Sequence, residues 1–366
     1  MRFSIITVTK NNKAGLLRAI ECVRNQTYND VEHIIVDGGS TDGTAEVIKN
    51  LECRMYNVGE EGVIQKDLPD SKAGMNDLNS AEDSSPRTQN DTSEVDSGSE
   101  SGMTSQSKYS LVTISEADSG IYDAINKGIK LATGDVIGLL HSDDLFADEN
   151  ILAKYVEAFE QRDSKNHPST TIDPQPTIDA VYSDLVYVRE KSKVKSQKSK
   201  YDKKQNTDNS RPTTHYSLLT SNYSIIRYWK THKSVSGNQK SVNGGLTVHY
   251  SQLTDNLLCK GWMPPHPTLF IRKEIFNKYG LYKTDLRIAS DYEMILRLFF
   301  KFKINTCYLP LTTYFMTIGG ASNKSIGNIF LKSKEDYKAM KLNEIPFPFF
   351  TLLLKNFRKL PQFLAR

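Results

Sequence analysis

The sequence predicts an α/β fold in which a mostly parallel sheet is flanked by helices. Short apolar runs alternate with segments of helical periodicity, which is the β-α-β-α order of a parallel sheet. The run Val136–Leu140 contains no polar residue, as expected of a strand that is covered on both faces. The length of 366 residues suits one large or two modest domains, and we expect a single domain with two long insertions.

The pattern of strands and helices starts with the first residues of the chain. Phe3–Val8 and Val31–Val36 are strand candidates, and Ala14–Asn25 between them has helical spacing. The polar turn Asp37–Gly43 then leads into a second helix. Residues 1–66 therefore form the first part of the domain.

Residues 67–107 interrupt this pattern. They are rich in Ser, Asp, Glu, Asn, Gly and Thr. Such a composition cannot bury enough apolar surface to offset the entropy lost on ordering. We expect a disordered acidic insertion, after which residues 108–188 resume the fold.

The segment Ser115–Asp144 is the most informative in the chain. Its first half has helical spacing with Ser119 as the expected N-cap, and its second half is an apolar run that leads to Asp143 and Asp144. In open α/β sheets, ligands bind beyond the carboxyl ends of such strands. Carboxylate oxygens at that position are the ligands that Mg²⁺ or Mn²⁺ prefers, and such a divalent ion can in turn bind a diphosphate. The acidic pair could instead cap a helix that follows it.

The second half of the chain contains another long insertion. We expect a helix near residues 150–162 and a strand at 178–188. Residues 189–257 form the second insertion, with a Lys-rich start and an aromatic middle that could either pack or contact a partner. The domain then returns in residues 258–325, and residues 326–366 form a basic, aromatic tail.

Composition narrows the functional classes. The 47 basic and 43 acidic residues give a net charge of +4, which provides no general case for nucleic-acid binding. The four cysteines are far apart and form no C-x-x-C pair, so we expect neither a zinc site nor a disulfide framework. Cys22 lies on the apolar face of its helix and is expected to be a reduced core thiol.

The N-terminal and C-terminal segments suggest where in the cell the protein lies. A strand candidate starts at the N-terminus and leaves no room for a signal peptide, and no apolar run approaches the roughly 20 residues needed to span a bilayer. Residues 345–366 combine Phe and Leu with Lys and Arg and contain no acid. We therefore expect a cytoplasmic protein, with this tail either in peripheral contact with the cytosolic face of a membrane or packed on the domain.

Five short pieces of the chain, taken in order, resemble those of a known family. The pieces are Ser4–Asn12, Ile34–Thr44, Gly120–Gly128, His141–Asp144 and Ala289–Glu293. They resemble family 2 glycosyltransferases of the GT-A (Rossmann-like) fold, and in particular bacterial enzymes that build exopolysaccharide or lipid-linked oligosaccharide. The resemblance implies a single catalytic domain that moves a sugar from a nucleotide-diphosphate sugar, usually a UDP-sugar, to a saccharide or lipid-linked saccharide. It also implies Mn²⁺ or Mg²⁺ as the cofactor.

The resemblance assigns roles to four carboxylates. Asp37 would hold the nucleotide base, Asp144 would ligate the metal with Asp143 on the nucleotide side, and Asp291 would be the general base of an inverting transfer. The acidic pair follows a Ser where a strict D-x-D motif has Asp, a departure that many members share. The residues alone leave alternatives open, because Asp37 could form a turn and Asp291 could cap its helix unless Ser290 does so.

Five further residues complete the expected site. Thr7, Thr9 and Asn11, at the end of the first strand, would flank the base. Asp118 would contact the ribose or the sugar, or else cap the helix that follows it. His266 is held between two prolines and would face the acceptor, although a lone His is commonly structural.

Three other functions fit parts of the pattern. A catalytically inactive GT-A module would act as a binding or scaffold protein, which the retained carboxylates disfavour. A nucleotidyltransferase would carry a Gly-rich basic loop after the first strand, where this chain has Lys10–Lys13. A dehydrogenase would need a G-x-G-x-x-G turn after a strand, and the sequence has none.

Overall fold

The computed structural model describes residues 1–56, 109–160, 177–190, 223–229, 239–242, 246–250, 255–317 and 326–357. The expected acidic insertion 67–107 lies outside the described residues. So do the Lys-rich stretch 191–204 and the last residues of the tail, 358–366.

Eleven strands within the described residues form one sheet. They are β1 (Phe3–Thr9), β2 (Val31–Asp37), β3 (Ser110–Ser115), β4 (Val136–Leu139), β5 (Asp144–Phe146), β6 (Ala180–Glu190), β7 (Tyr223–Trp229), β8 (Gln239–Val242), β9 (Leu246–Tyr250), β10 (Phe270–Arg272) and β11 (Thr306–Thr317). Their order is β3-β2-β1-β4-β10-β6-β11-β9-β8, with β5 on β11 and β7 on β6. Pairs within β3-β2-β1-β4 are parallel, as is β6 with β11, and the short β10 is antiparallel to both neighbours. The predicted α/β class with a mostly parallel sheet is confirmed.

Helices cover both faces of the sheet. They are α1 (Lys13–Arg24), α2 (Thr44–Tyr56), α3 (Ile121–Leu131), α4 (Ile151–Glu160), α5 (Asp255–Cys259), α6 (Lys273–Tyr279), α7 (Ser290–Ile295, continued as a π-helix at Leu296–Lys301), α8 (Ile326–Leu342) and α9 (Pro348–Phe357). Alternate residues of β1 point to opposite cores. Ile6 and Val8 pack with α3, α6 and α7, whereas Phe3 and Ile5 pack with α1 and α4. The central strands are therefore buried on both faces, as predicted.

The start of α3 differs from the prediction. Gly120, rather than Ser119, is the N-cap residue, and no side chain caps the helix. Two carboxylates hold the preceding turn instead: Asp118 accepts a hydrogen bond from the backbone N of Gly120, and Asp123 accepts one from the backbone N of Ser119, both at 3.0 Å. The Ser119 hydroxyl is therefore not needed as a cap.

The second insertion contributes strands to the main sheet. β7 runs antiparallel to the second half of β6, and β9 runs antiparallel to the start of β11. The aromatic middle of the insertion therefore packs on the domain, which was one of its two interpretations. Trp229 of β7 stacks on Tyr187 of β6 with ring centroids 6.3 Å apart.

The structure bears on two expectations, the absence of a membrane-spanning helix and the state of Cys22. Within the described ranges, every helix is too short or too polar to cross a bilayer. The thiol of Cys22 is free and accepts a hydrogen bond from the backbone N of Phe146 at 3.1 Å. Burial raises the pKa of Cys22 to about 12, so it remains an unreactive thiol, as predicted.

Candidate functional site

The carboxyl ends of three parallel strands place one polar residue each in a single row. Thr9 of β1, Asp37 of β2 and Ser115 of β3 are paired in register. Asp37 is fully buried, and its Oδ2 accepts hydrogen bonds from the backbone N of Ser40 at 3.1 Å and from Oγ of Ser115 at 2.7 Å. The Ser40 hydroxyl donates to Oδ1. Asp37 thus orders the loop after β2, and its Oδ1 keeps capacity for one more donor.

Thr9 and Asn11 flank this loop from β1. The Oγ1 atom of Thr9 is buried and has no hydrogen-bond partner among the residues that the structure describes. Asn11 is exposed, with a φ of 51°, and its Oδ1 accepts a hydrogen bond from the backbone N of Thr41 at 2.8 Å. Its own backbone N donates to Oγ of Ser40 at 2.7 Å. The loops after β1 and β2 are therefore held together where the nucleotide base is expected.

Thr7 has a different environment. It is fully buried, and its Oγ1 donates to the backbone O of Leu140 at 2.7 Å and lies 2.8 Å from Nε2 of His33. Since Oγ1 uses its only proton on Leu140, Nε2 of His33 must be the donor in the second contact. The hydroxyl of Thr7 is thus used inside the sheet and does not face the end of the strand.

Asp118 lies at the same end of the sheet, against Gly38. A Cβ atom on Gly38 would lie 2.2 Å from Oδ2 of Asp118, so a glycine is required for this close approach. Asp118 therefore contributes both to the turn before α3 and to the wall beside the Asp37 loop. Asp118 and Asp37, both expected on the nucleotide side, therefore lie at the same loop.

Asn12 connects the first loop of the chain to the acidic pair. Its Nδ2 donates to Oγ of Ser142 at 3.1 Å and to Oδ1 of Asp143 at 2.7 Å. Its Oδ1 accepts the backbone N of Gly15 at 3.1 Å, so the same side chain caps α1. A Cβ atom on Gly15 would lie 2.3 Å from the backbone O of Ser142, which explains how α1 comes so close to this segment.

Asp144 is a buried carboxyl at the start of β5, where it pairs with Met316 of β11. The alternative that the acidic pair caps a helix is therefore wrong, because the chain continues as a strand. The side chain of Asp144 is 2% exposed, whereas Asp143 is exposed. Burial and the neighbouring charge of Asp143 raise the pKa of Asp144 to about 8.

The environment of Asp144 fits a divalent cation. Its Oδ1 is buried and has no hydrogen-bond partner among the described residues. A cation would neutralise the charge that burial makes unfavourable, and carboxylate oxygen is the ligand that Mg²⁺ and Mn²⁺ prefer. In the part of the chain that the structure describes, no three His, Cys, Asp or Glu side chains converge as a complete metal site. An ion here would need further oxygen ligands from a bound molecule or from water.

Asp291 lies in the first turn of α7. Ser290, the expected cap, is the first helical residue instead, and the N-cap residue Ala289 makes no side-chain cap. Burial raises the pKa of Asp291, but the positive charge of Lys332 and the hydrogen bond from the backbone N of Tyr292 are among the effects that outweigh burial and hold this pKa below its usual value. Asp291 is thus an ionised carboxylate at neutral pH.

Glu335 of α8 binds the backbone of the segment that leads to Asp291. Its Oε1 accepts the backbone N of Arg287 at 3.0 Å, and its Oε2 accepts the backbone N of Ile288 at 2.7 Å and of Ala289 at 3.0 Å. Glu335 is 8% exposed. A carboxylate from a distant helix therefore fixes the backbone just before α7, while Oδ1 of Asp291 itself accepts a hydrogen bond from the first-turn backbone N of Tyr292.

His266 lies in a 3-10 turn over His266–Thr268 and is buried. Its Nε2 is 2.8 Å from the hydroxyl of Tyr282, whose backbone N and O are both bonded to the side-chain amide of Asn126. Burial lowers the pKa of His266, and the charge of Asp291 partly opposes this shift. His266 is therefore a neutral imidazole close to Asp291.

Tyr187 of β6 is influenced by both Asp144 and Asp291. Burial raises the pKa of Tyr187, and the negative charges of Asp144 and Asp291 raise it further, so both carboxylates lie close to the same phenol. The guanidinium of Arg227, from β7, lies 4.6 Å from the centroid of the Tyr187 ring and opposes the shift. Two acidic side chains that are far apart in the sequence thus act on the same residue of β6.

Sequence reasoning missed three residues of this site: Asn12, Glu335 and Arg227. Asn12 carried a usable signal, because it follows the first strand and precedes an amphipathic helix, as an N-cap should. Glu335 and Arg227 gave no comparable signal. Their contacts are tertiary, and Arg227 belongs to an insertion.

Comparison with known proteins gives a family match. Residues 4–62 and 95–219, just over half of the chain, match the model described as glycosyl transferase family 2. An uncharacterized glycosyltransferase of Mycobacterium tuberculosis (strain CDC 1551 / Oshkosh) is 30% identical over 156 residues, which are 42% of this chain and 38% of that protein. The chain thus aligns with less than half of that relative. A PGL/p-HBAD biosynthesis glycosyltransferase of Mycobacterium bovis (strain BCG / Pasteur 1173P2) is 23% identical over 331 residues, which are 90% of this chain and 82% of that protein.

Solved structures resemble the chain distantly. S. aureus TarS 1-349 in complex with UDP-GlcNAc has a TM-score of 0.49 at 12% identity, covering 94% of this chain and 65% of that one. The mannosyltransferase PcManGT from Pyrobaculum calidifontis, in complex with GDP-Man and Mn²⁺, has a TM-score of 0.47 at 15% identity, covering 97% of this chain and 68% of that one. Likenesses this distant do not bear on the roles of individual site residues.

Proposed function

The chain belongs to glycosyl transferase family 2, and we propose on this basis that it catalyses a metal-dependent, inverting sugar transfer. The donor is a nucleotide-diphosphate sugar of the UDP class, and the acceptor is a saccharide or a lipid-linked saccharide. The proposal rests on two carboxyls from distant parts of the sequence, Asp144 and Asp291, whose charges both act on the phenol of Tyr187. One of these carboxyls has an oxygen without a protein partner, and the other is ionised at neutral pH.

The base of the nucleotide binds at the ends of β1, β2 and β3. The Oδ1 of Asp37 can accept one more hydrogen bond, and the loop that covers this buried carboxylate would open for it to accept an N–H of uracil. The partnerless hydroxyl of Thr9 and the loop held by Asn11 flank that carboxylate. Asp118, beside Gly38, is near enough to the same loop to contact the ribose or the sugar. The hydroxyl of Thr7 would not contact the base, because it is used within the sheet.

The diphosphate binds beside the acidic pair. Asp144 would hold Mn²⁺ or Mg²⁺, and Asp143, fixed by Asn12, lies on the nucleotide side of it. A divalent cation bound there stabilises the negative charge that develops on the leaving diphosphate. Phosphate oxygens and water would supply the remaining ligands.

Asp291 is the general base. It removes the proton of the acceptor hydroxyl while the acceptor oxygen attacks the anomeric carbon and the bond from that carbon to the phosphate oxygen breaks. The proton ends on Asp291, and the electron pair of the broken bond leaves with the nucleoside diphosphate. A single displacement inverts the anomeric centre, so an α-linked donor gives a β-linked product. A positioned base of this kind contributes about 10²–10⁴-fold to the rate.

The acceptor side includes His266 and Arg227. The neutral imidazole of His266 lies near Asp291 and is held by Tyr282, so it can orient the acceptor hydroxyl. Arg227 places a cation over the ring of Tyr187, where it can bind a phosphate of the donor or of a lipid-linked acceptor.

The experiment that tests this function is a donor screen. UDP-sugars and GDP-sugars are incubated with the full chain in the presence of Mn²⁺ or of a chelator, and the released nucleotide is measured. We expect release from a UDP-sugar that requires the metal. Release that is unaffected by the chelator would refute metal dependence, and the absence of any metal-dependent binding of UDP would refute the transferase itself.

A further inference from the structure

The helix α9 has its polar and apolar faces reversed relative to an ordinary surface helix. Its outward side chains are mostly large and apolar: Phe349 is 59% exposed, Phe350 62%, Leu353 38%, Leu354 46% and Phe357 61%, and Phe347 just before the helix is 75% exposed. Its inward face carries Thr351 and Lys355, which are 2% and 4% exposed. A surface helix that packs on a core normally has the opposite arrangement.

Buried polar contacts fix α9 in this orientation. The Nζ of Lys355 lies 2.8 Å from Oδ1 of Asp336 on α8, and both side chains are almost fully buried. The same Nζ lies 3.0 Å from the ring centroid of Tyr292. The hydroxyl of Thr351 donates to the backbone O of Cys259 at 2.7 Å. Rotating the helix to bury its phenylalanines would leave Asp336 as an unpaired buried charge, which is strongly unfavourable.

The size of the apolar face fits a lasting contact with a partner. At about 200 Å² for a whole phenylalanine, the six exposed side chains leave roughly 600 Å² of apolar surface. A stable protein interface buries about 800 Å² on each partner, of which about 60% is apolar, so the area alone suits a second copy of the chain as well as a membrane. Exposed apolar patches of several hundred Å² mark either protein or membrane contacts.

The charge of the segment favours an anionic surface. Residues 345–366 contain no Asp or Glu, and beyond the buried Lys355 they contain Arg358, Lys359 and Arg366. A symmetric contact between two copies would bring these like charges together, whereas anionic lipid headgroups would attract them. Phenylalanine and leucine beside Lys and Arg are also the composition of helices that lie in the plane of a membrane interface.

We propose that α9 docks the protein on an anionic lipid bilayer, with Phe349, Phe350, Leu353, Leu354 and Phe357 inserted at the interface. The positive charge of the sequence that follows α9 favours anionic over neutral lipid. This surface is distinct from the site at the ends of the strands and does not depend on the transfer reaction. It gives the catalytic domain a fixed orientation on the membrane, because α9 is bound through Lys355 to the helix that neighbours Asp291.

Vesicle flotation of the full chain tests the proposal. The vesicles contain phosphatidylcholine alone or phosphatidylcholine mixed with phosphatidylglycerol. We expect the wild type to float with the anionic vesicles. The double variant Phe350→Ser/Leu354→Ser should bind them at least about tenfold more weakly, since each substitution removes a large apolar side chain from the interface. Arg358→Gln and Lys359→Gln should each weaken binding to the anionic vesicles about fivefold.

Leu131→Ser is the matched control, because Leu131 of α3 is 40% exposed and Leu354 is 46% exposed. It should float like the wild type, and thermal unfolding of all variants verifies that they are folded. Wild-type protein that floats with neither vesicle type would overturn the proposal, as would unchanged binding of the double variant. A dimer in sedimentation velocity that the double variant dissolves would also overturn it, because the apolar face would then belong to a second copy.

Discussion

Asn12 donates a hydrogen bond from Nδ2 to Oδ1 of Asp143 at 2.7 Å, across 131 positions of the sequence. This contact fixes the exposed member of the acidic pair to the loop after β1. The same side chain caps α1 through its Oδ1. One residue thereby sets the distance between the loop that flanks the nucleotide base and the segment that would hold the metal.

Replacing Asn12 separates its two roles. Ser is as good an N-cap as Asn but lacks a donor that reaches Asp143. We expect Asn12→Ser to leave the free energy of unfolding within about 0.5 kcal/mol of the wild type and to raise the Mn²⁺ concentration needed for half-maximal activity several-fold. Denaturation with urea and a metal titration of activity measure the two effects. A variant with unchanged metal dependence would show that the contact does not position Asp143.

Glu335 is expected to act as a positioning residue for Asp291. In Glu335→Gln, an amide NH₂ would face backbone N–H groups that now donate to a carboxylate, and a buried donor left unsatisfied costs about 1–3 kcal/mol. We expect a loss of stability of that order and a decrease of kcat with little change in KM. Glu344→Gln is the control, because Glu344 forms an exposed pair with Lys301 and such pairs contribute about 0–1 kcal/mol. Equal effects of the two substitutions would contradict the role of Glu335.

Arg227 is expected to bind a phosphate group of a substrate. A charge-assisted hydrogen bond contributes about 1.5–3 kcal/mol, so Arg227→Gln should raise the KM of that substrate at least about tenfold and leave kcat nearly unchanged. Arg189→Gln provides the comparison, since Arg189 is an exposed arginine two positions beyond Tyr187 on β6. Steady-state kinetics with each substrate varied in turn identifies which of the two Arg227 contacts. If KM stays at the wild-type value for both substrates, Arg227 has only a structural role.

His33 makes stability depend on pH. Burial and the nearby Arg24 lower the pKa of His33 to about 3, whereas an unfolded histidine titrates near 6.5. Below pH 6.5 the unfolded chain therefore binds a proton that the native protein does not, and the free energy of unfolding should fall by about 1.4 kcal/mol per pH unit until pH 3. Urea denaturation at pH 7 and pH 5.5 measures the change, and His33→Gln should reduce it. Parallel pH profiles of the two proteins would mean that another group is responsible.

The central strands could be predicted from the sequence almost to the residue. β4 is a continuous apolar run, as expected of a strand that is covered on both faces. β1 and β2 are rich in Ile, Val and Phe, and their buried polar side chains pair across the two strands, Ser4 with Glu32 and Thr7 with His33. The carboxylates that follow them, Asp37 and Asp144, could be identified for the same reason.

The caps and the insertion could not be predicted in this way. Ser119 and Ser290 satisfy a local rule for helix starts, but neither is the N-cap residue. The nearby carboxylates of Asp118 and Asp123 hold the turn before α3, and Glu335 from a distant helix holds the segment before α7. The position of Arg227 depends on how β7 pairs with β6. No local periodicity specifies that register, because the segment follows a long polar stretch.

The most direct test of the account compares Asp144→Asn with Asp291→Asn. Calorimetry measures the binding of UDP with Mn²⁺, and released UDP measures turnover. We predict that Asp144→Asn loses both the metal-dependent binding and the turnover. Asp291→Asn should bind UDP and Mn²⁺ like the wild type while its turnover falls about 10²–10⁴-fold. Near-normal turnover in Asp291→Asn, or unchanged metal-dependent binding in Asp144→Asn, would contradict the claim that these two carboxylates form one catalytic site.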